Sequence, residues 1–377
     1  MRSNFLLLSF FLTFVFWPSK VHGEHGVIVQ ADVFSRVHSS QHPANARSCA
    51  ECHSTPFIGG SNRRTVMRAG SIIAGKYVGV RDGGVLHTMN YDTSSATATI
   101  YGTRVTLNLL GDGYVEVVSD GEFQRIAREQ TRATQGKVHG EVVYLAPAGS
   151  SGIPKVVGRF GWKAQHASLL DASADALLSE VGIPNRIFPR GLGAPGQLEE
   201  ASRVSPGVNP VDELDAMVEF IRSTEPAAPD RARSTMDGAK AGSKIFDRIG
   251  CSICHVRTLK TASPGTRLRS SNIVVSERLG NKEIHPFSDY LLHDIGTGDG
   301  IVQNVRLEDY AADTANKFRT TPLWGLRFRL WMMHDGGSLT YHQAIMRHRG
   351  EALGVTLTYS HLTLAEKEEL RQFLDSL

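Results

Sequence analysis

Only four cysteines occur in 377 residues, and all four fall in two short stretches, so none is left over for a structural disulfide. Aromatic residues are also few, at 8%, against 37 glycines, which points to a loop-rich chain. Charge of one sign is missing. Lys and Arg (41) nearly cancel Asp and Glu (38), leaving a formal net charge of +3. That balance gives no sign of nucleic-acid binding and leaves the charge of any protein partner open. Beyond one segment near the N-terminus there is no long apolar run, so the mature chain reads as soluble.

The single apolar run, residues 5–17, is too short to span a bilayer comfortably. Arg2 precedes it, and Val21-His22-Gly23 supplies modest side chains at a cleavage site. Residues 1–23 therefore read as a secretory signal, with an uncleaved anchor as the alternative. About 350 residues remain, enough for two domains.

The two cysteine stretches are copies of one motif. The first is Cys49-Ala50-Glu51-Cys52-His53 and the second Cys251-Ser252-Ile253-Cys254-His255. C-x-x-C-H is the attachment sequence of a c-type haem: two thiols add across the porphyrin vinyl groups and the next histidine becomes the proximal iron ligand. A redox dithiol needs a strand–helix context and no adjacent histidine. A zinc ribbon brings its pairs within about 15–20 residues of each other, whereas here the pairs end at residue 52 and resume at 251. Two covalently bound haems are expected, and a chain exported to the periplasm, where such haems are attached.

Local patterns divide the chain. Residues 93–118 read as β-rich. Thr97, Thr99, Tyr101, Thr103, Val105 and Leu107 alternate, and Gly111-Asp112-Gly113 is a turn signal before a second strand at 114–118. A short helix is expected at 122–130 and a strand at 138–145. Leu214, Met217, Val218 and Ile221 repeat at helical spacing over 210–223. Pro226 and Pro229 then break the chain, making 226–236 the best linker. A helix over 241–249 runs into the second haem motif. The last helix starts at Thr363-Leu364-Ala365-Glu366, a capping box, and buries Leu370, Phe373, Leu374 and Leu377. The reading is mainly α, with two cytochrome c-like haem domains: 24–225, carrying a β-rich insertion at about 60–157, and 237–377.

Five ordered blocks carry a resemblance. They are residues 158–169 (GRFGWKAQHASL), 287–296 (FSDYLLHDIG), 318–326 (FRTTPLWGL), 333–336 (MHDG) and 344–352. Together with both haem motifs they resemble the di-haem c-type oxidoreductases labelled peroxidases or "thiol oxidoreductases", a distant branch of the bacterial di-haem cytochrome c peroxidases. In those enzymes the N-terminal haem meets peroxide, the C-terminal haem relays electrons, and a tryptophan lies between them. The resemblance implies that place for Trp162, which is otherwise a large packing side chain. It also implies a catalytic glutamate, for which Glu180, eighteen residues further on, is the nearest match; the bland alternative is a solvated helix end. The family's distal glutamine is missing, with Ala172 at its position, which puts peroxide turnover in question.

The peroxidases place a methionine ligand fourteen residues after the His-Asp-Gly histidine. Here that position is His348, which implies bis-histidine ligation and a lowered potential for the C-terminal haem. Met346 or no ligand is the alternative. His166 is read as a distal acid–base group, a sixth ligand or a propionate partner. Arg319 is read as a propionate partner, Trp324 as packing, and His293 and His334 as groups satisfying backbone or propionates. His87, His139, His285, His342 and His361 read as surface or structural. The implied function is a periplasmic, peroxidase-like di-haem oxidoreductase acting on hydrogen peroxide or another small substrate, with a small redox protein as electron partner. A non-catalytic electron-transfer cytochrome and a di-haem oxidase of an organic or protein substrate are the competing readings. Thiol chemistry is not expected, because every cysteine is committed to haem.

Overall fold

The computed structural model describes residues 31–37, 45–79, 85–86, 98–146, 155–188, 210–271, 273–302 and 312–377; the expected signal at 1–23 and His87 lie outside them. The fold is mainly α with small sheets. No helix among the described residues is long and apolar enough to cross a membrane.

Helix α1 (Ala31–Ser35) precedes the 3-10 turn Cys49–Glu51. Strands β1 (Thr65–Ile73), β2 (Lys76–Gly79), β3 (Val85–Leu86) and β4 (Ile100–Val105) then form one antiparallel sheet around β1. β1 pairs with β4 from Thr65↔Val105 to Gly70↔Ile100. Its hairpin to β2 closes through Ala74 and Gly75, both at positive φ, as a two-residue loop between right-twisted strands requires.

The β reading fails beyond Val105. Residues 114–118 do not make a strand: α2 (Asp112–Glu116) forms instead, and all five of its residues are buried. A short run buried on every side has no period to betray it. Gly111-Asp112-Gly113 is no hairpin turn either. Gly111 at φ +85° is the N-cap, and a Cβ on Gly113 would stand 2.5 Å from the Arg222 carbonyl oxygen, so this glycine lets two helices touch. Helix α3 (Asp120–Ala133) is longer than expected, with Phe123, Ile126 and Gln130 inward. Of 138–145 only Tyr144–Leu145 forms a strand, β5, which pairs with β6 (Val156–Val157); Glu141 makes an isolated bridge to Leu292. The stretch expected as a β-rich insertion is therefore sheet in its first half and largely helical in its second. Helices α4 (Leu169–Ser179), N-capped by Ser168, and α5 (Pro210–Ser223) follow, the latter over the residues its periodicity indicated.

The segment 226–236 is not a bare linker. It holds α6 (Arg231–Ser234), capped by Asp230, whose N–H donates to the Ser376 carbonyl at 2.9 Å. Helix α7 (Asp237–Arg248) leads into the second 3-10 turn, Cys251–Ile253. Two-residue strands β7 (Leu259–Lys260), β8 (Glu283–Ile284), β9 (Leu292–His293) and β10 (Phe318–Arg319) pin the loops, β9 pairing with β10 through Phe318↔His293. Helices α8 (Tyr341–Met346), α9 (Leu353–Ser360) and α10 (Leu364–Ser376) complete the fold.

Helix α10 begins with the expected capping box, Thr363 and Glu366 each bonding the other's backbone. It crosses α7 closely: a Cβ on Gly242 would lie 1.9 Å from the Glu369 carbonyl oxygen. Ile245, Phe246 and Ile249 pack there on Leu370, Phe373, Leu374 and Leu377. The larger core cluster joins Val115, Phe123, Leu169 and Leu214 to Leu259, Leu279, Tyr290 and Leu291, so residues on both sides of 226–236 share it.

Candidate cofactor cavities

Each C-x-x-C-H stretch folds as a single tight turn. The His53 N–H donates to the Cys49 carbonyl at 2.8 Å, and the His255 N–H to Cys251 at 2.9 Å. One turn thus gathers two thiols and an imidazole on the lip of a cavity. The N-terminal cavity comprises about 1240 Å³, partly open to solvent, and the C-terminal one about 1230 Å³.

None of the four cysteines is in a disulfide. Burial pushes Cys49 and Cys251 up to about 12 and Cys52 up to about 11, and raises Cys254. A working redox dithiol needs the opposite shift. These are protonated, inert sulfurs unless something is added to them.

The histidines are held neutral, each with one ring nitrogen fixed. His255 Nδ1–H donates to the Phe287 carbonyl at 2.9 Å, and His348 Nδ1–H to Ala344 at 2.8 Å; both line the C-terminal cavity. Fixing Nδ1 in this way leaves the Nε2 lone pair for a metal. Burial, then the neighbouring His348, lowers His255 to about 4, and burial lowers His348. His53 is held by the Gly60 carbonyl at 3.1 Å and is likewise lowered to about 4 by burial. Met346, the alternative to His348, is 37% exposed and does not line the cavity.

Trp162 and Arg319 line both cavities, so they stand in the wall between them. The Trp162 indole N–H donates to Val105 O at 2.8 Å, and its carbonyl accepts from the Arg319 backbone N–H at 2.8 Å. The buried Arg319 guanidinium donates to Gly161 O at 2.6 Å. Arg329, on the C-terminal side, has its Nε buried with no hydrogen-bond partner, and burial followed by the neighbouring Arg319 lowers it to about 10. An orphaned guanidinium donor in an otherwise apolar cavity calls for an anion. A tethered porphyrin brings carboxylates for such donors and vinyl groups for the thiols, so the residues present fit a haem in each cavity.

Glu180 and His166 both line the N-terminal cavity. Glu180 is the C-cap of α4 rather than a solvated helix end: Oε2 accepts from Asn45 Nδ2 at 2.7 Å and Oε1 lies 3.7 Å from Arg68. Burial raises its pKa, with Arg68 opposing. His166 Nε2 lies 3.3 Å from Asp175 Oδ2. Ala172 lines the same cavity without a polar group.

His293 differs from expectation. Its ring bonds no backbone group among the described residues but lies between two carboxylates, Asp289 Oδ2 at 2.9 Å from Nε2 and Glu351 Oε2 at 2.8 Å from Nδ1, and 3.8 Å from Cys254 Sγ. Burial alone would lower its pKa; Asp289 and then Cys254 raise it well above the usual value. Asp289 also accepts from Gln130 of α3. Sequence spacing gave no hint of this cluster, because Glu351 is 58 residues from His293. His334 stacks on Phe318 with centroids 3.7 Å apart, edge-on to Trp162. Trp324 is buried in the core with its indole N–H unpartnered. His139, His285, His342 and His361 are exposed.

Residues 83–377 match the model of the family described as "Di-haem oxidoreductase, putative peroxidase". No curated protein matches the chain. Among solved structures, hydrazine synthase of Kuenenia stuttgartiensis, pressurised with xenon, is similar at 16% identity and a TM-score of 0.41, over 100% of both chains. A MauG-like protein associated with microbial copper homeostasis is similar at 18% identity and a TM-score of 0.29, over 45% of this chain and 54% of the other.

Proposed function

Since the chain belongs to the di-haem oxidoreductase family, we propose that it is an exported, periplasmic peroxidase-like enzyme carrying two covalent c-type haems that exchange electrons. The observation that carries the reading is the pair of cavities, each with a C-x-x-C-H turn at its lip and both walled by Trp162 and Arg319. Cys49, Cys52 and His53 would hold the first haem. Cys251, Cys254 and His255 would hold the second, with His348 as a further ligand to its iron. Haem iron, when bound, supplies one-electron and O–O chemistry that no side chain can.

The protein's own part is positional and protic. Arg319 and Arg329 neutralise propionates. Trp162, immobilised at both its indole and its carbonyl, fills the wall between the cavities with a polarisable ring. In the N-terminal cavity Glu180, its carboxyl pKa raised by burial and its side chain oriented by Asn45, is placed to take up and return a proton where a small substrate would bind. His166, backed by Asp175, offers a second proton acceptor. Electrons arrive from a small redox protein.

The absence of a side-chain donor at Ala172 favours the electron-transfer reading at one point, and a single preparation decides. Protein made with a cytochrome-maturation system is analysed by intact mass, pyridine haemochrome and ferric electron paramagnetic resonance. Two haems per chain are expected, one low-spin and one with a high-spin component. Unmodified chain with four titratable thiols refutes the haem assignment; two purely low-spin centres replace the enzyme by an electron carrier.

A further inference from the structure

A third cavity, polar and open to solvent, lies between β1, β4 and the loop at 296–299, and comprises about 1070 Å³. Its walls include Tyr101, Thr297, His334, Arg347 and Arg349. Most of its charge is already cancelled. Asp299 is paired in two contacts with Arg104, and Asp335 with Arg347 at 2.6 and 3.0 Å.

Three donors are left over. Arg349 makes no side-chain hydrogen bond or ion pair among the described residues, so one guanidinium stands uncompensated in the cleft. The Thr297 hydroxyl is buried with no partner. His334 is 4% exposed, and neither ring nitrogen bonds a described residue. Burial, then Arg104, lowers it to about 4, so the ring is neutral and presents one N–H and one bare nitrogen. Arg349 is exposed to solvent, but the Thr297 hydroxyl and the His334 ring are buried, and buried polar groups left unpaired in a folded protein call for a partner; all three border the same space.

We propose that this cleft binds a small organic acid, with its carboxylate on the Arg349 guanidinium and the Thr297 hydroxyl and a second polar end, a hydroxyl or another carboxylate, against the His334 imidazole. A guanidinium fork matches a planar carboxylate, and the neutral imidazole both gives and takes a hydrogen bond. The site is separate from both haem-binding turns but not remote from them. His334 also lines the C-terminal cavity and stacks on Phe318 beside Trp162, so an occupant would rest on the aromatic cluster in the wall between the cavities.

The test is calorimetric titration of the haem-loaded protein with malate, in parallel with acetate and inorganic phosphate. One malate site is expected, bound more tightly than acetate or phosphate. R349Q and T297V are each expected to weaken it by about tenfold or more with unchanged thermal midpoints. Equal malate affinity in wild type and R349Q overturns the proposal, as does phosphate binding as tightly as malate. If R349Q lowers the midpoint, T297V alone decides by the same criterion. The same titration is repeated on protein lacking haem, so a failed haemochrome count and a failed malate site are read separately.

Discussion

Replacing His293 with glutamine removes the cation between two buried carboxylates. Their side chains are 0% (Asp289) and 6% (Glu351) exposed, so solvent screens little of what is lost. Removing one partner of such a buried pair typically costs about 3–5 kcal/mol. The pH dependence narrows the claim. Burial pushes the Glu351 carboxyl up, but the hydrogen bond and charge of His293 outweigh it and hold the group near 2 instead of 4.5. A carboxyl lowered by folding stabilises the fold above its unfolded pKa, and that stabilisation fades as pH falls through the folded value. Its share is on the order of 3 kcal/mol at neutral pH. His293 is raised by folding, so its contribution is complete below about 6.5 and fades only as pH rises through its elevated folded value. From pH 5 to 7 the two contributions coexist. Urea unfolding of the haem-loaded protein, followed by tryptophan fluorescence at several pH values, should show H293Q less stable by about 3 kcal/mol or more near neutrality. The difference should shrink as pH falls from 4.5 toward 2, where wild type loses the same interaction. A variant within about 0.5 kcal/mol of wild type at pH 7, or a gap that stays constant down to pH 2, refutes the ion-pair account.

Three further outcomes are expected. H348A should convert the C-terminal haem from low to high spin in the ferric resonance spectrum and raise its reduction potential in a redox titration; an unchanged low-spin signal removes His348 as ligand. E180Q should slow peroxide consumption by about 10²–10⁴-fold while both haem potentials stay fixed, and undiminished turnover assigns the proton transfer elsewhere. W162F keeps an aromatic ring but loses the bond to Val105 O, costing about 1 kcal/mol of stability in urea titrations; stopped-flow reduction should show slower equilibration between the haems, and an unaltered rate takes Trp162 out of the electron route.

What the sequence disclosed follows the physics of each signal. The haem turns were legible because their chemistry is local: thiol, thiol and imidazole sit within five residues. The helices Pro210–Ser223 and Leu364–Ser376 were legible because one face of each meets the core and the other does not, which leaves a period in the sequence. Helix Asp112–Glu116 was opaque because it is buried all round. The glycines beside it looked like turn residues, although Gly113 serves a close approach by Arg222. The side chains around the cavities divide in the same way. Trp162, Arg319 and His348 came from ordered blocks that resemble a family. The Asp289–His293–Glu351 cluster and the polar cleft came from neither, because their members meet only when distant loops are folded together.

The crossing at Gly242 has a consequence for how the molecule is made. Leu370 and Leu374 of α10 form part of the C-terminal cavity's wall, yet α10 begins at Leu364, far along the chain from Cys251 and Cys254. Until α10 is synthesised and docks, the two thiols stand on an incomplete cup, open from the side that this helix later occupies. Docking of the last helix then closes the cup, and a chain that closed before taking up the proposed haem would shut it out.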